Sequence, residues 1–253
     1  MLTQERYQLI LSLLAEKNAV TVAELTQALG ASEATVRRDL NALDEMGRLH
    51  KVHGGATALG GTFVPGEPDM STKSALHVAE KQAIGAYAAG LVTDDDFVYL
   101  DAGSSTGAII DRLVPSRATF VTNGIDHARR LTQKGLKAFI LGGQFKSTTE
   151  AIVGAMALHS LRQYNFTKCF LGANGVDLAA GFTTPDSEEA MLKSEAMNRA
   201  YLSFVLCDHS KFRLVSPVTF APLNKACILT DRLDDEAYRK ETVVKVIKEG
   251  NAQ

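Results

Sequence analysis

A run of small, polar residues at positions 101–106 has the composition of a phosphate-binding loop. It follows the apolar segment 97–100 and opens a helix-forming segment. Accessible backbone N–H groups, hydroxyl groups and a helix N-terminus all favour a bound phosphate. The same composition also occurs at ordinary helix caps, so the loop alone leaves both interpretations open. The residues concerned are Asp101, Gly103, Ser104, Ser105 and Thr106.

Three further apolar segments also end in small or polar residues. In an open parallel sheet the ligand lies beyond the carboxyl ends of the strands. A glycine after a strand is usually only a turn, so each loop is weak evidence by itself, but four such loops indicate one cleft. The added residues are Thr122 and Asn123, then Gly142 and Gly143, then Asn174.

The motifs of several other ligand classes are missing. Neither the Gly-x-x-x-x-Gly-Lys-Ser/Thr spacing of a P-loop nor the Gly-x-Gly-x-x-Gly fingerprint of a dinucleotide site occurs, which disfavours a nucleoside triphosphate or NAD. Cys169, Cys207 and Cys227 are widely spaced within apolar stretches, and the six histidines form no ligand pattern. We therefore predict buried cysteines, no metal site and no cofactor.

The elements that would position these loops alternate between short apolar strands and helices, which is typical of an α/β domain with a largely parallel sheet. The predicted strands are 97–100, 119–121, 138–141, 168–171, 202–206 and 226–229. The predicted helices are 78–91, 125–134, 151–163 and 187–200.

The segment 21–55 has a different pattern, that of two short helices, a tight turn and a small hairpin. Val22, Leu25 and Leu29 share one helical face, Gly30 marks the turn, and a second apolar face contains Val36, Leu40 and Leu43. This arrangement predicts a winged helix-turn-helix, and hence DNA binding.

A recognition helix enters the major groove with its N-terminal end, and arginine suits either a guanine or a phosphate. Two arginines could also simply solvate the helix, but a short basic hairpin follows and could track a phosphate backbone. The predicted DNA contacts are Ser32, Glu33, Thr35, Arg37 and Arg38 in the helix, with Lys51 and His53 in the hairpin.

Composition limits the remaining possibilities. The chain of 253 residues has 27 basic and 29 acidic side chains, and residues 1–58 are not net basic, so we expect DNA binding to depend on dimerisation. Its length allows two domains, which we place at 1–57 and 75–253, with 58–74 as a linker that is flexible at its glycines and extended at its prolines. A membrane span and a signal peptide are both missing, so we expect a cytoplasmic protein.

The N-terminal segment resembles the DeoR family of bacterial regulators of sugar metabolism. The resemblance rests on the pattern Ser32-x-x-Thr35-Val36-Arg37-Arg38-Asp39-Leu40, then Leu43 and Gly47, then Val52-His53-Gly54-Gly55-Ala56. It implies an opening helix over 4–16 that completes a three-helix core. The remainder resembles the sensor domain of that family, which is related in fold to ribose-5-phosphate isomerase. The matching segments are 101–106, 122–123, 142–143, 172–175, 181–184, 189–193 and 208–212.

The resemblance implies a repressor of a sugar uptake or catabolic operon, which a phosphorylated sugar releases from double-stranded operator DNA. From the symmetry of such sites we expect a homo-dimer or homo-tetramer. Ser104, Ser105 and Thr106 suit the phosphate, and Lys193 or Lys211 could neutralise it. The alternative for Lys193 is a solvated cation paired with Glu189 one turn away. Sugar hydroxyls would be bound by Asp101, Asn123 and Asn174.

Two other functions compete with this one. A sugar-phosphate isomerase or deaminase would use Asp101 or Glu189 as a base, but an enzyme has no use for a winged helix with outward arginines. A DNA-binding protein with a second domain for dimerisation only would leave the polar loops unexplained. We therefore expect a regulator rather than an enzyme, with no catalytic residues.

Overall fold

The computed structural model describes residues 1–17, 19–58 and 61–247. The chain divides into two compact units, Met1–Thr62 and Phe63–Gln253. Among the described residues, no helix has the length and hydropathy needed to span a bilayer. All three cysteines are free, with Cys169 and Cys207 buried and Cys227 half-buried.

The first unit has three helices and a three-stranded antiparallel sheet in which the last strand is central. The β2–β3 hairpin is the wing. The elements are α1 (Thr3–Lys17), β1 (Ala19–Thr21), α2 (Val22–Leu29), α3 (Glu33–Glu45), β2 (His50–Val52) and β3 (Gly55–Thr57).

Local chemistry sets the bounds of these helices. Thr21 and Glu24 form a capping box at the start of α2, in which each side chain bonds the other residue's backbone N–H. Gly30 ends α2 with φ 59°, a left-handed conformation that glycine adopts without strain. Ile10, Leu25 and Leu40 are fully buried between the helices, which confirms the predicted three-helix core.

A partly buried ion pair also joins α1 to α3. Arg6 donates two hydrogen bonds to the Asp39 carboxylate, at 2.6 and 3.0 Å, and Asp39 is only 3 % exposed. The pair therefore holds α3 against α1.

The second unit is an α/β domain with a mixed set of sheets. Its helices are α4 (Met70–Ala75), α5 (Val78–Ala89), α6 (Ser104–Arg112), α7 (Ile125–Gln133), α8 (Ala155–Leu161), α9 (Ser187–Asn198) and α10 (Tyr238–Glu241). Its strands, after β4 (Thr62–Phe63) at the boundary, are β5 (Phe97–Leu100), β6 (Thr119–Thr122), β7 (Lys137–Ile140), β8 (Gln144–Lys146), β9 (Ala151–Val153), β10 (Phe166–Gly172), β11 (Gly175–Asp177), β12 (Gly181–Thr184), β13 (Ala200–Leu206), β14 (Leu214–Val215), β15 (Val218–Ala221), β16 (Cys227–Thr230) and β17 (Val244–Val246).

The main sheet has seven parallel strands in the order β17-β16-β13-β10-β5-β6-β7. The chain runs outward from β5 through β6 to β7, then returns to the other side of β5 as β10. The direction of winding therefore reverses between β5 and β10, and a cleft opens at the carboxyl ends of strands at such a switch point. Asp101 follows β5, and Gly172 ends β10.

The six predicted strands are confirmed to within two residues at each end, but the predicted helix over 151–163 is wrong at its start. Ala151–Val153 is strand β9, which pairs antiparallel with β8 and is buried. Gly154, at φ 93°, then turns the chain into α8. The apolar run 151–153 fits both a buried strand and a helix, and only the pairing partner decides between them.

The segment 58–74 is also more ordered than the irregular linker that the sequence predicts. Val64 N–H donates to the Val215 carbonyl at 2.8 Å, and helix α4 begins at Met70, where Asp69 accepts a hydrogen bond from Thr72 N–H. The prolines interrupt the periodicity of this segment, but its fixed contacts come from distant parts of the chain. Residues 59–60 of the predicted linker lie outside the described residues.

Candidate functional site

Helix α3 presents its two arginines to solvent. The Arg37 side chain is 57 % exposed and forms a surface ion pair with Glu33 at 3.3 Å. Arg38 is also exposed, and its side chain forms no ion pair or hydrogen bond among the described residues. An exposed guanidinium without a protein partner is available for a base edge or a phosphate.

The first turn of α3 holds the other predicted contacts. Ser32 caps the helix by accepting a hydrogen bond from Thr35 N–H at 3.3 Å, and the two hydroxyl oxygens lie 3.0 Å apart. Lys51 and His53 are exposed on and beside the wing. All seven predicted DNA contacts therefore lie on α3, at its cap or in the wing.

The second unit contains a cavity of about 90 Å³ at the β5–β10 switch point. It is lined by seven of the predicted effector residues, namely Asp101, Gly103, Ser104, Ser105, Asn174, Lys193 and Lys211. The first turn of α6 supplies the two serines. Its free N–H groups and the serine hydroxyls therefore form one wall of the cavity. The topology thus brings together residues from loops more than 100 positions apart in the sequence.

At the base of this cavity, Asp101 and Lys193 form a buried ion pair. The Lys193 ammonium donates to the Asp101 carboxylate and, at 3.1 Å, to the Gly172 carbonyl. Gly172 N–H donates to the same carboxylate at 3.2 Å. Burial raises the pKa of Asp101, while Lys193 opposes that rise. The alternative that Lys193 is a solvated partner of Glu189 is therefore wrong, because Lys193 is only 4 % exposed and contacts Asp101.

Glu189 instead belongs to a second ionic cluster. Its carboxylate accepts hydrogen bonds from Lys146 at 2.9 Å and from Thr149 at 2.7 Å. Lys146 also contacts Glu67 at 3.2 Å. Burial acts to lower the pKa of Lys146, but these carboxylates raise it overall. Glu67 lies within the predicted linker, so that segment helps to build the wall of the cavity.

Two ammonium groups at the cavity have the Asp208 carboxylate nearby but are not paired with it. Lys81 is 7 % exposed and donates to the carbonyls of Lys73 and, at 2.7 Å, Leu76. Lys211 is half-buried in the 3₁₀ helix His209–Lys211. Within the described part of the chain, neither ammonium forms an ion pair. Burial lowers the pKa of Lys81, and a bound anion would stabilise its charged form.

Five predicted effector residues do not line the cavity. Three are buried and already hydrogen-bonded: the Asn123 side chain bonds Tyr99, Ala102 and Ile152, the Thr106 hydroxyl lies 2.5 Å from the Asp101 carbonyl, and the Thr122 hydroxyl accepts from Gly124 N–H. These hydrogen bonds fix the conformations of the loops that follow β5 and β6. Gly142 and Gly143 complete the list.

A larger cleft of about 370 Å³ shares part of the cavity wall, including Lys81, Gly103 and Ser104. Asp101, Lys193 and Lys211 line only the smaller cavity, which is tight for a whole ligand, and the cleft provides the additional room. Sequence reasoning missed Glu67, Lys73 and Lys81. The Asp69-x-x-Thr72 capping pattern could have revealed α4, but nothing in the sequence could have revealed the ion pairs.

Comparison with known proteins gives the family. The description "DeoR-like helix-turn-helix domain" matches residues 6–60, and "DeoR C terminal sensor domain" matches residues 76–232.

Relatives match over nearly the whole chain. The uncharacterized HTH-type transcriptional regulator FruR of Bacillus subtilis (strain 168) is 43 % identical over 98 % of this chain and 100 % of its own length. The lactose phosphotransferase system repressor of Staphylococcus aureus (strain NCTC 8325 / PS 47) is 30 % identical over 96 % of this chain and 98 % of its own. A solved ribose 5-phosphate isomerase from Methanocaldococcus jannaschii is 16 % identical, with a TM-score of 0.38 over 52 % of this chain and 53 % of that one. Two matched domains and full-length relatives place this chain in the DeoR family of DNA-binding transcriptional regulators.

Proposed function

We propose that this protein represses an operon for sugar uptake or catabolism, and that a phosphorylated sugar bound in the second unit releases it from operator DNA. The observation that carries the effector proposal is the pair of ammonium groups, Lys81 and Lys211, which form no ion pair among the described residues and lie at a cavity whose wall includes the first turn of α6. Positive charge and free N–H groups together favour a phosphate.

The two parts of such a ligand need different partners. The phosphate would accept hydrogen bonds at Ser104 and Ser105 and would neutralise Lys81 and Lys211. The sugar hydroxyls would face Asn174 and the Asp101 carboxylate, with the adjoining cleft of about 370 Å³ holding what the small cavity cannot.

Covalent continuity provides a route to the DNA-binding unit. Glu67, Pro68 and Lys73 line the cavity and belong to the segment through which the chain arrives from the first unit. A ligand that repositions these residues would change the geometry of that segment. A coupling of about 1–3 kcal/mol would alter operator affinity roughly 5- to 150-fold.

We propose binding without turnover. The two candidate bases each have an ammonium partner, since Lys193 holds Asp101 and Lys146 holds Glu189. Neither carboxylate can therefore take up a substrate proton without disturbing an ion pair.

Operator recognition would require an oligomer, and the protein would act in the cytoplasm. A single unit of this size neutralises few phosphates, so paired recognition helices on two half-sites would supply the affinity. We propose a homo-dimer or homo-tetramer.

The test is binding of the full-length protein to labelled DNA from upstream of its own coding region, at stated salt. The titrants are fructose 1-phosphate, tagatose phosphates and deoxyribose phosphates, with the unphosphorylated sugars as controls. Tight binding that one phosphorylated sugar weakens supports the proposal. Specific binding that no phosphorylated sugar alters would refute the effector assignment, and absence of specific binding at low salt would refute the operator assignment.

A further inference from the structure

Three potential metal ligands meet outside the effector cavity. His77, Glu80 and His209 each place one ligand atom within 4.8 Å of the others. His77 Nδ1 lies 3.6 Å from the Glu80 carboxylate, and the two imidazole rings meet edge to face with centroids 5.2 Å apart. His77 and Glu80 come from the start of α5, whereas His209 comes from the 3₁₀ helix after β13.

Each histidine has a carboxylate near one ring nitrogen, which leaves the other nitrogen for a ligand. Asp231 contacts His209 Nδ1 at 2.6 Å, which leaves Nε2 for a ligand. Asp208 lies 4.0 Å from His77 Nε2, which leaves Nδ1 toward Glu80. A carboxylate that accepts a hydrogen bond from the second ring nitrogen, as Asp231 does from His209, fixes the orientation of a metal-binding imidazole.

Two further features lie in or beside this cluster. Asp208 Oδ2 is buried and has no hydrogen-bond partner among the described residues. His77 has φ 51°, a left-handed conformation that is uncommon for histidine, so the fold holds this imidazole where the chain would not place it by preference.

We propose that His77 Nδ1, the Glu80 carboxylate and His209 Nε2 bind a Zn²⁺ ion, with water as the fourth ligand. Two imidazoles and one carboxylate are a zinc ligand set, whereas magnesium and calcium prefer oxygen ligands alone. The three side chains are 24–31 % exposed, so an ion can reach them. Small side-chain rotations would bring the ligand atoms to about 2.0–2.2 Å from the metal.

The local charge favours a cation despite two nearby lysines. Glu80, Asp208 and Asp231 provide three carboxylates against Lys81 and Lys211. A bound ion would also tie the start of α5, which carries Lys81, to the 3₁₀ helix that carries Lys211. The site would therefore brace one wall of the effector cavity, although zinc binding itself does not depend on the proposed effector.

The test is calorimetric titration of Zn²⁺ into the full-length protein after chelator treatment and dialysis. We expect one ion per chain. His77→Asn removes the imidazole while asparagine retains the left-handed backbone, and His209→Gln removes the second imidazole, so each should weaken binding at least about tenfold. Asp231→Asn should weaken it by about 10- to 100-fold. The control is His159→Gln, an exposed histidine on α8, which should bind as the unaltered protein does.

Circular dichroism confirms the fold of each variant, and the visible spectrum of the Co²⁺-loaded wild type gives a measurement that needs no variant. Intense bands of tetrahedral Co²⁺ support the site. Three results would each overturn the proposal. They are failure of the wild type to bind one ion, an octahedral Co²⁺ spectrum, and binding by His77→Asn and His209→Gln that is as tight as that of the wild type.

Discussion

The Asp101 carboxylate at the end of β5 and the Lys193 ammonium on α9 form a buried ion pair across 92 positions of sequence. Both side chains are at most 5 % exposed, and both residues line the cavity of about 90 Å³ at the switch point. The pair therefore links the switch point of the sheet to the helix that covers it.

Removing one partner of this pair should destabilise the second unit strongly. Lys193→Met leaves a buried carboxylate without its cation, so we expect the free energy of unfolding to fall by about 3–5 kcal/mol. The double variant Asp101→Leu/Lys193→Met should lose less, because no uncompensated charge remains. Urea denaturation measures both. A loss below about 1 kcal/mol in the single variant would indicate a solvated pair.

Arg38→Ala should weaken operator binding by about 1–3 kcal/mol, since it removes an exposed guanidinium from the recognition helix. Electrophoretic mobility shift at constant salt measures the change. Lys17→Ala is the control, because Lys17 is an exposed cation of the same unit that pairs with Glu24. Stabilisation by sugar phosphate should stay intact, and its loss in Arg38→Ala would mean misfolding rather than a lost DNA contact.

Lys211→Ala should keep operator binding but lose the response to the sugar phosphate, because it removes one of the two ammonium groups at the cavity that form no ion pair among the described residues. Lys225→Ala, an exposed lysine of the second 3₁₀ helix, should respond normally. The measurement is operator affinity across an effector titration. A normal response in Lys211→Ala would place the phosphate elsewhere.

His127 should make stability depend on pH. Burial, with Arg130 next, lowers the pKa of His127 to about 4, so the folded state favours the neutral imidazole. The unfolded chain binds the proton near pH 6.5, and the contribution of His127 is therefore complete above that pH and is lost as pH falls toward about 4. His127→Gln should show a shallower decline in the free energy of unfolding over this range. Parallel curves for the two proteins would contradict the assignment.

Much of the fold could be predicted because its signals are local. The capping residues Thr21 and Ser32 and the apolar stripe of Val36, Leu40 and Leu43 define helices within a few residues. The error at 151–153 arose where an apolar run fits two structures and its β8 partner decides.

The candidate site was only partly predictable. Residues of the loop after β5 could be identified because small hydroxylated residues before a helix favour phosphate binding whatever the rest of the fold. Asn123 and Thr106 belong to the same kind of polar loop, yet their polar groups are hydrogen-bonded inside the protein. Composition cannot distinguish a side chain that faces a ligand from one that supports the loop.

The sequence by itself determined the helix-turn-helix, the alternation of strands and helices, and the polar strand ends, since these depend on residue spacing along the chain. Only the tertiary structure decided that Lys193 pairs with Asp101 rather than Glu189, that Glu67 joins the cavity wall, and that His77 meets His209. Ion pairs and ligand clusters form between residues distant in sequence, and the order in which strands assemble decides which of them meet.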